Sequence, residues 1–119
     1  MKTSLNRTYR FEAAHFLPNV PDGHKCKNMH GHSYKVEVTI CGPLDEKLGW
    51  IMDFGDLDEL VMPLINRCDH QVLNDIEGLE NPTSEKLAEW LWGQLSSKTD
   101  YLTDLAVSET QDSSCKISK

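Results

Sequence analysis

The chain predicts an α+β domain: a four-stranded antiparallel sheet with two helices on one face, in the order ββααββ. Three observations carry this expectation. Tyr34, Val36, Val38 and Ile40 alternate with Lys35, Glu37, Thr39 and Cys41, the period-two pattern of a strand with one buried face. Leu57, Leu60, Val61, Leu64, Ile65 and Cys68, and then Leu87, Ala88, Leu91, Trp92 and Leu95, recur at helical spacing in the middle of the chain. Strand patterns flank these two runs on both sides. Elements segregated in that way put the helices together against an antiparallel sheet.

The elements follow in order. Residues 3–16 form the first strand, with Tyr9, Phe11 and Ala13 on one parity, ending near His15. Residues 17–31 hold Pro18, Pro21, Gly23 and Gly31 and read as a long loop; a loop of that length is usually functional or disordered. The Tyr34 alternation is the second strand, ended by Gly42-Pro43. A turn over 43–50 leads into a short strand at Trp50-Ile51-Met52. Asp53 caps the first helix, and Asp56, Asp58 and Glu59 suit its positive end. Pro63 inside this run kinks the helix or removes one hydrogen bond. Asn81-Pro82 opens the second helix with proline in its first turn. Leu105, Val107 and Glu109 alternate in a third strand. A polar turn at Gln111-Asp112-Ser113-Ser114 leads to a fourth over 115–118. No repeat, linker or low-complexity segment divides the 119 residues, so residues 1–119 are expected to form a single domain.

Composition narrows the function. The formal charge is −7, from nineteen acidic and twelve basic residues, which argues against a protein that grips a phosphate backbone with lysine and arginine. A small anionic substrate remains compatible, because a local basic cluster acts within an acidic protein. No stretch approaches the roughly 18 apolar residues of a membrane span, and the first residues lack the apolar core of a secretory signal. The expected location is cytoplasmic. The four cysteines include no CxxC pair, which argues against a zinc finger, and a reducing compartment disfavours disulfides.

The chemistry concentrates in Cys26-Lys27-Asn28-Met29-His30-Gly31-His32 and in His15 upstream. On an extended chain, His30 and His32 point to the same side. If His15 joins them, three imidazoles form a site for which zinc is the natural ion, with a fourth position open for catalysis. Cys26, among His24, Lys25 and Lys27, has cationic neighbours that favour its thiolate. It reads equally as a base or nucleophile and as a fourth ligand closing a structural site. Asp69-His70 reads either as the polar end of a helix or as an imidazole steered by a carboxylate. Glu109 continues an apolar parity. It is either an edge-strand carboxylate or the partner of a heterocycle with two parallel N–H donors, in the manner of a guanidinium. Lys25 and Lys27 either meet a polyphosphate or are simply solvated.

Taken together these residues resemble the 6-pyruvoyltetrahydropterin synthase family over nearly the whole chain. The matching segments are Phe11-Glu12-Ala13-Ala14-His15, Cys26 with His30-Gly31-His32, Gly49-Trp50-Ile51-Met52-Asp53-Phe54, Cys68-Asp69-His70, Leu73-Asn74, Glu80-Asn81-Pro82-Thr83-Ser84-Glu85 and Ser108-Glu109-Thr110. The three residues between Cys26 and His30 resemble the carboxy-forming bacterial branch that serves queuosine biosynthesis. One departure is Ile117, where the family usually carries an aromatic; this position is expected to pack at a subunit edge.

The resemblance implies a tunnelling fold whose subunits join sheets into a barrel, with two trimers stacked as a hexamer and sites between subunits. It implies zinc on His15, His30 and His32, Cys26 as the catalytic base, Asp69 and His70 as proton-transfer partners, and Glu109 as a catalytic residue that anchors the pterin ring and shares in the proton relay. The implied substrate is 7,8-dihydroneopterin triphosphate. The implied products are 6-carboxy-5,6,7,8-tetrahydropterin, acetaldehyde and triphosphate. Two rival functions stand beside this: a pyruvoyl-forming lyase, and a non-catalytic module whose zinc is closed by Cys26.

Overall fold

The computed structural model describes residues 1–119. Five strands and two helices follow in the order β1 (Ser4–His15), β2 (His30–Cys41), α1 (Phe54–Cys68), β3 (Gln71–Val72), α2 (Ser84–Ser96), β4 (Leu102–Thr110) and β5 (Ser113–Ser118). The sheet order is β3-β1-β2-β4-β5. Neighbours are antiparallel except β1 and β3, which run parallel over Ala13↔Gln71 and Ala14↔Val72. The expected four strands are therefore present with a fifth, two-residue strand added at one edge. So short a segment carries no periodicity; the main chain creates it where the exit from α1 returns alongside β1.

The alternation in the strands decides which face the helices cover. Tyr9, Phe11 and Ala13 of β1, Tyr34, Val36, Val38 and Ile40 of β2, and Leu105 and Val107 of β4 are buried. Leu57, Val61, Leu64, Ile65 and Cys68 of α1 and Leu87, Ala88, Leu91 and Leu95 of α2 meet them. These residues form one apolar cluster, against which Ile117 also packs. Ile117 is thus partly buried at the margin of this chain's own core.

Several boundaries differ from the sequence expectation. β2 starts at His30, four residues before Tyr34, so the His-Gly-His segment belongs to a strand and not to the preceding loop. Trp50-Ile51-Met52 is not a strand. Asp45 Oδ1 instead accepts from the amides of Lys47 and Leu48 at 2.9 and 2.8 Å, and this side-chain-capped turn lays Ile51 on the core. α1 continues through Pro63; the ring removes one amide donor without ending the helix. α2 begins at Ser84 and not at Asn81-Pro82. Thr83 takes the cap, its hydroxyl oxygen accepting from the Lys86 amide at 3.1 Å. The β4–β5 turn is shorter than expected, because Ser113 already pairs with Thr110.

Candidate metal centre and acid–base groups

The ends of β1 and β2 meet where the chemistry lies. His15 pairs with His30 and Ala13 with His32 across the antiparallel ladder. Period-two geometry puts all three imidazoles on the helix-facing side. Their ring centroids are 4.6 Å (His15–His30), 5.0 Å (His15–His32) and 4.9 Å (His30–His32) apart. One nitrogen from each lies within 4.8 Å of the others. The end of β1 is clamped by Asn74, whose amide group accepts from the Phe16 N–H at 3.0 Å and donates to the Phe16 carbonyl at 2.8 Å.

The hydrogen bonds behind the rings fix their chemistry. His15 Nδ1 lies 2.8 Å from the Pro82 carbonyl, and His30 Nδ1 lies 2.7 Å from the Asn28 carbonyl. A carbonyl only accepts, so each Nδ1 carries the hydrogen and each Nε2 presents its lone pair. Nε2 of His15 and Nε2 of His32 are buried and have no hydrogen-bond partner. Buried polar atoms without partners are rare, and two of them converging on one point fit a cation. Burial, the largest influence, pushes the His15 pKa below its ordinary value, with the Pro82 carbonyl and Glu109 opposing; a neutral imidazole is the ligand form.

Glu109 joins this cluster. Its Oε2 is 3.5 Å from His32 Nε2 and its Oε1 is 3.9 Å from His15 Nε2. The carboxylate also lines a cleft of about 360 Å³ between the start of α2 and the β4–β5 hairpin, with Ser84, Glu85 and Cys115. The Glu109 side chain, 27% exposed, thus faces the imidazole cluster.

Cys26 sits on a 3₁₀ turn, Lys25–Lys27, within the β1–β2 connection. Leu17 donates its amide to the Cys26 carbonyl at 2.8 Å, and the Cys26 amide donates to His24 Nδ1 at 3.1 Å. The thiol is half-buried and unpaired. It does not belong to the group of converging ligand atoms, which is made of the three imidazoles. Lys27 is engaged with Asp22 at 2.6 Å and with the Val20 carbonyl at 3.3 Å. Lys25 forms no such contact.

Asp69 and His70 lie elsewhere. Asp69 ends α1, and His70 follows with φ of 58°, a left-handed conformation uncommon outside glycine. The turn holds because the His70 amide donates to the Glu12 carbonyl at 2.6 Å while Asp69 Oδ1 accepts from the Glu12 amide at 3.0 Å. The same oxygen is 3.0 Å from His70 Nδ1. The Glu12 amide first, and then His70, hold the Asp69 carboxyl below its usual range. His70 lines a cleft of about 610 Å³ together with Glu12, Ala14, Gly31, His32, Ser33 and Gln71. Within one chain, Asp69 and His70 therefore form a dyad that makes no hydrogen bond to Cys26, Glu109 or the three imidazoles.

Sequence reasoning missed Tyr34, whose hydroxyl lies 3.1 Å from His15 Nδ1. It shares the parity of His32, a signal that was readable. It also missed the Pro82 and Asn28 carbonyls, which carry no side-chain signature.

Residues 4–119 match the 6-pyruvoyl tetrahydropterin synthase family, and the chain belongs to it. It is 40% identical over 103 residues, 86% of this chain and 84% of the relative, to a provisionally named 6-carboxy-5,6,7,8-tetrahydropterin synthase of Archaeoglobus fulgidus. It is 40% identical over 96 residues, 76% of this chain and 73% of the relative, to the 6-carboxy-5,6,7,8-tetrahydropterin synthase of Synechocystis sp.. The 6-pyruvoyl tetrahydropterin synthase of Caenorhabditis elegans superposes with a TM-score of 0.91 at 25% identity, covering 100% of this chain and 96% of that one. The α+β sheet-and-helix architecture is thus the tunnelling fold of these synthases.

Proposed function

We propose that this chain is a zinc-dependent carbon–carbon lyase of queuosine biosynthesis, working in the cytoplasm. It converts 7,8-dihydroneopterin triphosphate and one water into 6-carboxy-5,6,7,8-tetrahydropterin, acetaldehyde and triphosphate. The observation that carries the reading is the convergence of three imidazoles with two buried, unpartnered Nε2 atoms beside the Glu109 carboxylate. The carboxy-forming relatives support the choice of product.

His15, His30 and His32 hold the zinc ion, which supplies Lewis acidity to the oxygens of the substrate side chain. Glu109 accepts two parallel N–H bonds from the pterin ring, which occupies the cleft beside Ser84 and Glu85. Cys26 removes a side-chain proton, and Lys25 offers its free ammonium group to the thiolate or to the triphosphate. Lys27 has a weaker claim on the phosphates, because Asp22 already neutralises it. Asp69 holds His70 with its Nδ1–H bonded, leaving Nε2 to exchange protons.

The position of that dyad favours a site completed by a second copy of the chain. The principal extents are 58 × 25 × 24 Å and the radius of gyration is 15.6 Å, against about 13.5 Å for a compact chain of this length. Both outer strands, β3 and β5, have a free edge, and edges of that kind are normally covered. A homohexamer built as a dimer of trimers covers them and brings Asp69 and His70 of one copy to Cys26 of another. No helix is long and apolar enough to cross a membrane.

The C. elegans likeness favours a second reading, the pyruvoyl-forming lyase. The non-catalytic module is disfavoured, because Cys26 stands outside the converging ligands. Incubation of the zinc-loaded protein with dihydroneopterin triphosphate decides between them. Acetaldehyde with a carboxypterin supports the proposal; a diketo tetrahydropterin supports the second reading; an unchanged substrate refutes both.

A further inference from the structure

One ring nitrogen has two neighbours. His15 Nδ1 lies 2.8 Å from the Pro82 carbonyl oxygen and 3.1 Å from Tyr34 Oη. In a neutral imidazole that nitrogen carries either a hydrogen or a lone pair, never both. The carbonyl accepts only, so the shorter contact requires the hydrogen to be on Nδ1. The phenol then cannot donate there, and its oxygen accepts.

The opposite assignment fails twice. A phenol donating to a lone pair on Nδ1 would set that lone pair against the Pro82 oxygen. It would also move the hydrogen to Nε2, which is buried and has no acceptor within bonding distance; the Glu109 oxygen is 3.9 Å away.

Tyr34 is built to hold this position. Tyr34 is 1% exposed, so its hydroxyl is out of contact with bulk solvent. Its ring stacks on Phe11, its cross-strand partner, with centroids 4.9 Å apart and planes 10° from parallel. It meets the His15 ring edge-on, at 88° and 5.9 Å. A residue needed only to fill this space would be better as phenylalanine, because a buried hydroxyl is a cost unless it is bonded. The hydroxyl here reaches one side chain, and that side chain is His15.

We propose that Tyr34 is a positioning residue for His15. Its oxygen takes the second branch of a three-centre bond from Nδ1–H and, with the Pro82 carbonyl, holds the imidazole in the tautomer whose Nε2 lone pair faces the candidate metal position. This rests on the reading that the three imidazoles hold zinc, and it adds a partner behind the ligand which the ligand set itself does not specify. Partners of this kind orient the ring and raise its basicity.

The test is Tyr34→Phe, which removes one oxygen and conserves the buried volume. Imidazole ¹⁵N spectra of the metal-free protein above pH 8 read the tautomer directly. The wild type is expected as Nδ1–H at His15, and the variant with a larger Nε2–H fraction. Chelator competition is expected to show zinc affinity falling by about 10- to 100-fold, with the metal-free melting midpoint shifting by only a few degrees. An Nε2–H tautomer in the wild type overturns the proposal, and this measurement holds even if the variant fails to fold. Unchanged tautomer and affinity in a folded variant also overturn it. A wild type that binds no zinc sinks the metal reading by itself, while the spectra still judge Tyr34.

Discussion

Glu109 Oε2 lies 3.5 Å from His32 Nε2, so a carboxylate near the end of the chain shares one small volume with an imidazole from its first third. The Val36↔Val107 rung fixes this meeting, because two residues further along each strand, on the same face, stand Tyr34 and Glu109. The carboxylate therefore borders both the candidate metal position and the cleft beside Ser84 and Glu85.

Glu109→Gln keeps the shape and removes the charge. Hydrogen bonds to charged groups contribute about 1.5–3 kcal/mol, so KM for the pterin substrate is expected to rise roughly 10- to 100-fold. Zinc content is expected to stay near one per chain, because the three imidazoles remain. Steady-state kinetics beside metal analysis check both halves; loss of metal in this variant would make Glu109 a ligand.

Cys26→Ala separates base from ligand. Removal of a positioned acid–base group typically costs about 10²- to 10⁴-fold in rate, and that loss is expected with zinc retained. A variant that releases its zinc and melts early would restore the closed structural site. A variant that still turns over at the wild-type rate would remove Cys26 from the chemistry.

The proposed pairing of Cys26 with His70 of another copy gives a complementation experiment. His70→Asn is the suitable partner variant, since asparagine tolerates the positive φ of 58° that His70 adopts. Each variant alone is expected to be inactive. Under the proposed assembly, co-refolded mixtures of His70→Asn with Cys26→Ala are expected to recover turnover, because some interfaces then pair an intact thiol with an intact dyad. Failure to recover activity in verified mixed assemblies would place both groups in one chain's site.

Asp58 contributes to the acid limb of stability. Tyr9 donates to its Oδ1 at 2.6 Å, and Arg7 binds both oxygens at 2.8 and 3.1 Å, fastening α1 to β1. Tyr9 first and then Arg7 hold its pKa below the ordinary 3.8. A carboxyl depressed on folding adds stability that is complete above its unfolded value and disappears as pH falls through its folded one. Asp58→Asn is therefore expected to melt earlier than wild type at pH 7, with the gap closing as the pH falls below the ordinary 3.8. Melting curves across that range check the sign; a gap that widened in acid would contradict it.

The amino-acid pattern alone determined the α+β class, both helices, the four long strands and the identity of the chemical groups. Period-two and 3.6-residue repeats encode which side chains are buried, and burial is what holds the sheet against α1 and α2. His30 and His32 were readable as a same-side pair because their relation is local. The two-residue β3, the missing strand at Trp50-Ile51-Met52 and the start of α2 were not readable. They depend on main-chain partners such as Glu12 with His70, on the Asp45 turn and on the Thr83 cap.

Only the tertiary structure decided that His15 meets His30, that Glu109 turns inward beside them, and that His70 lines a cleft Glu109 does not reach. The reason is register. Strands distant in sequence meet through a hydrogen-bond ladder, and a shift of one residue would have sent the strand-borne His15, His30, His32 and Glu109 to the other face.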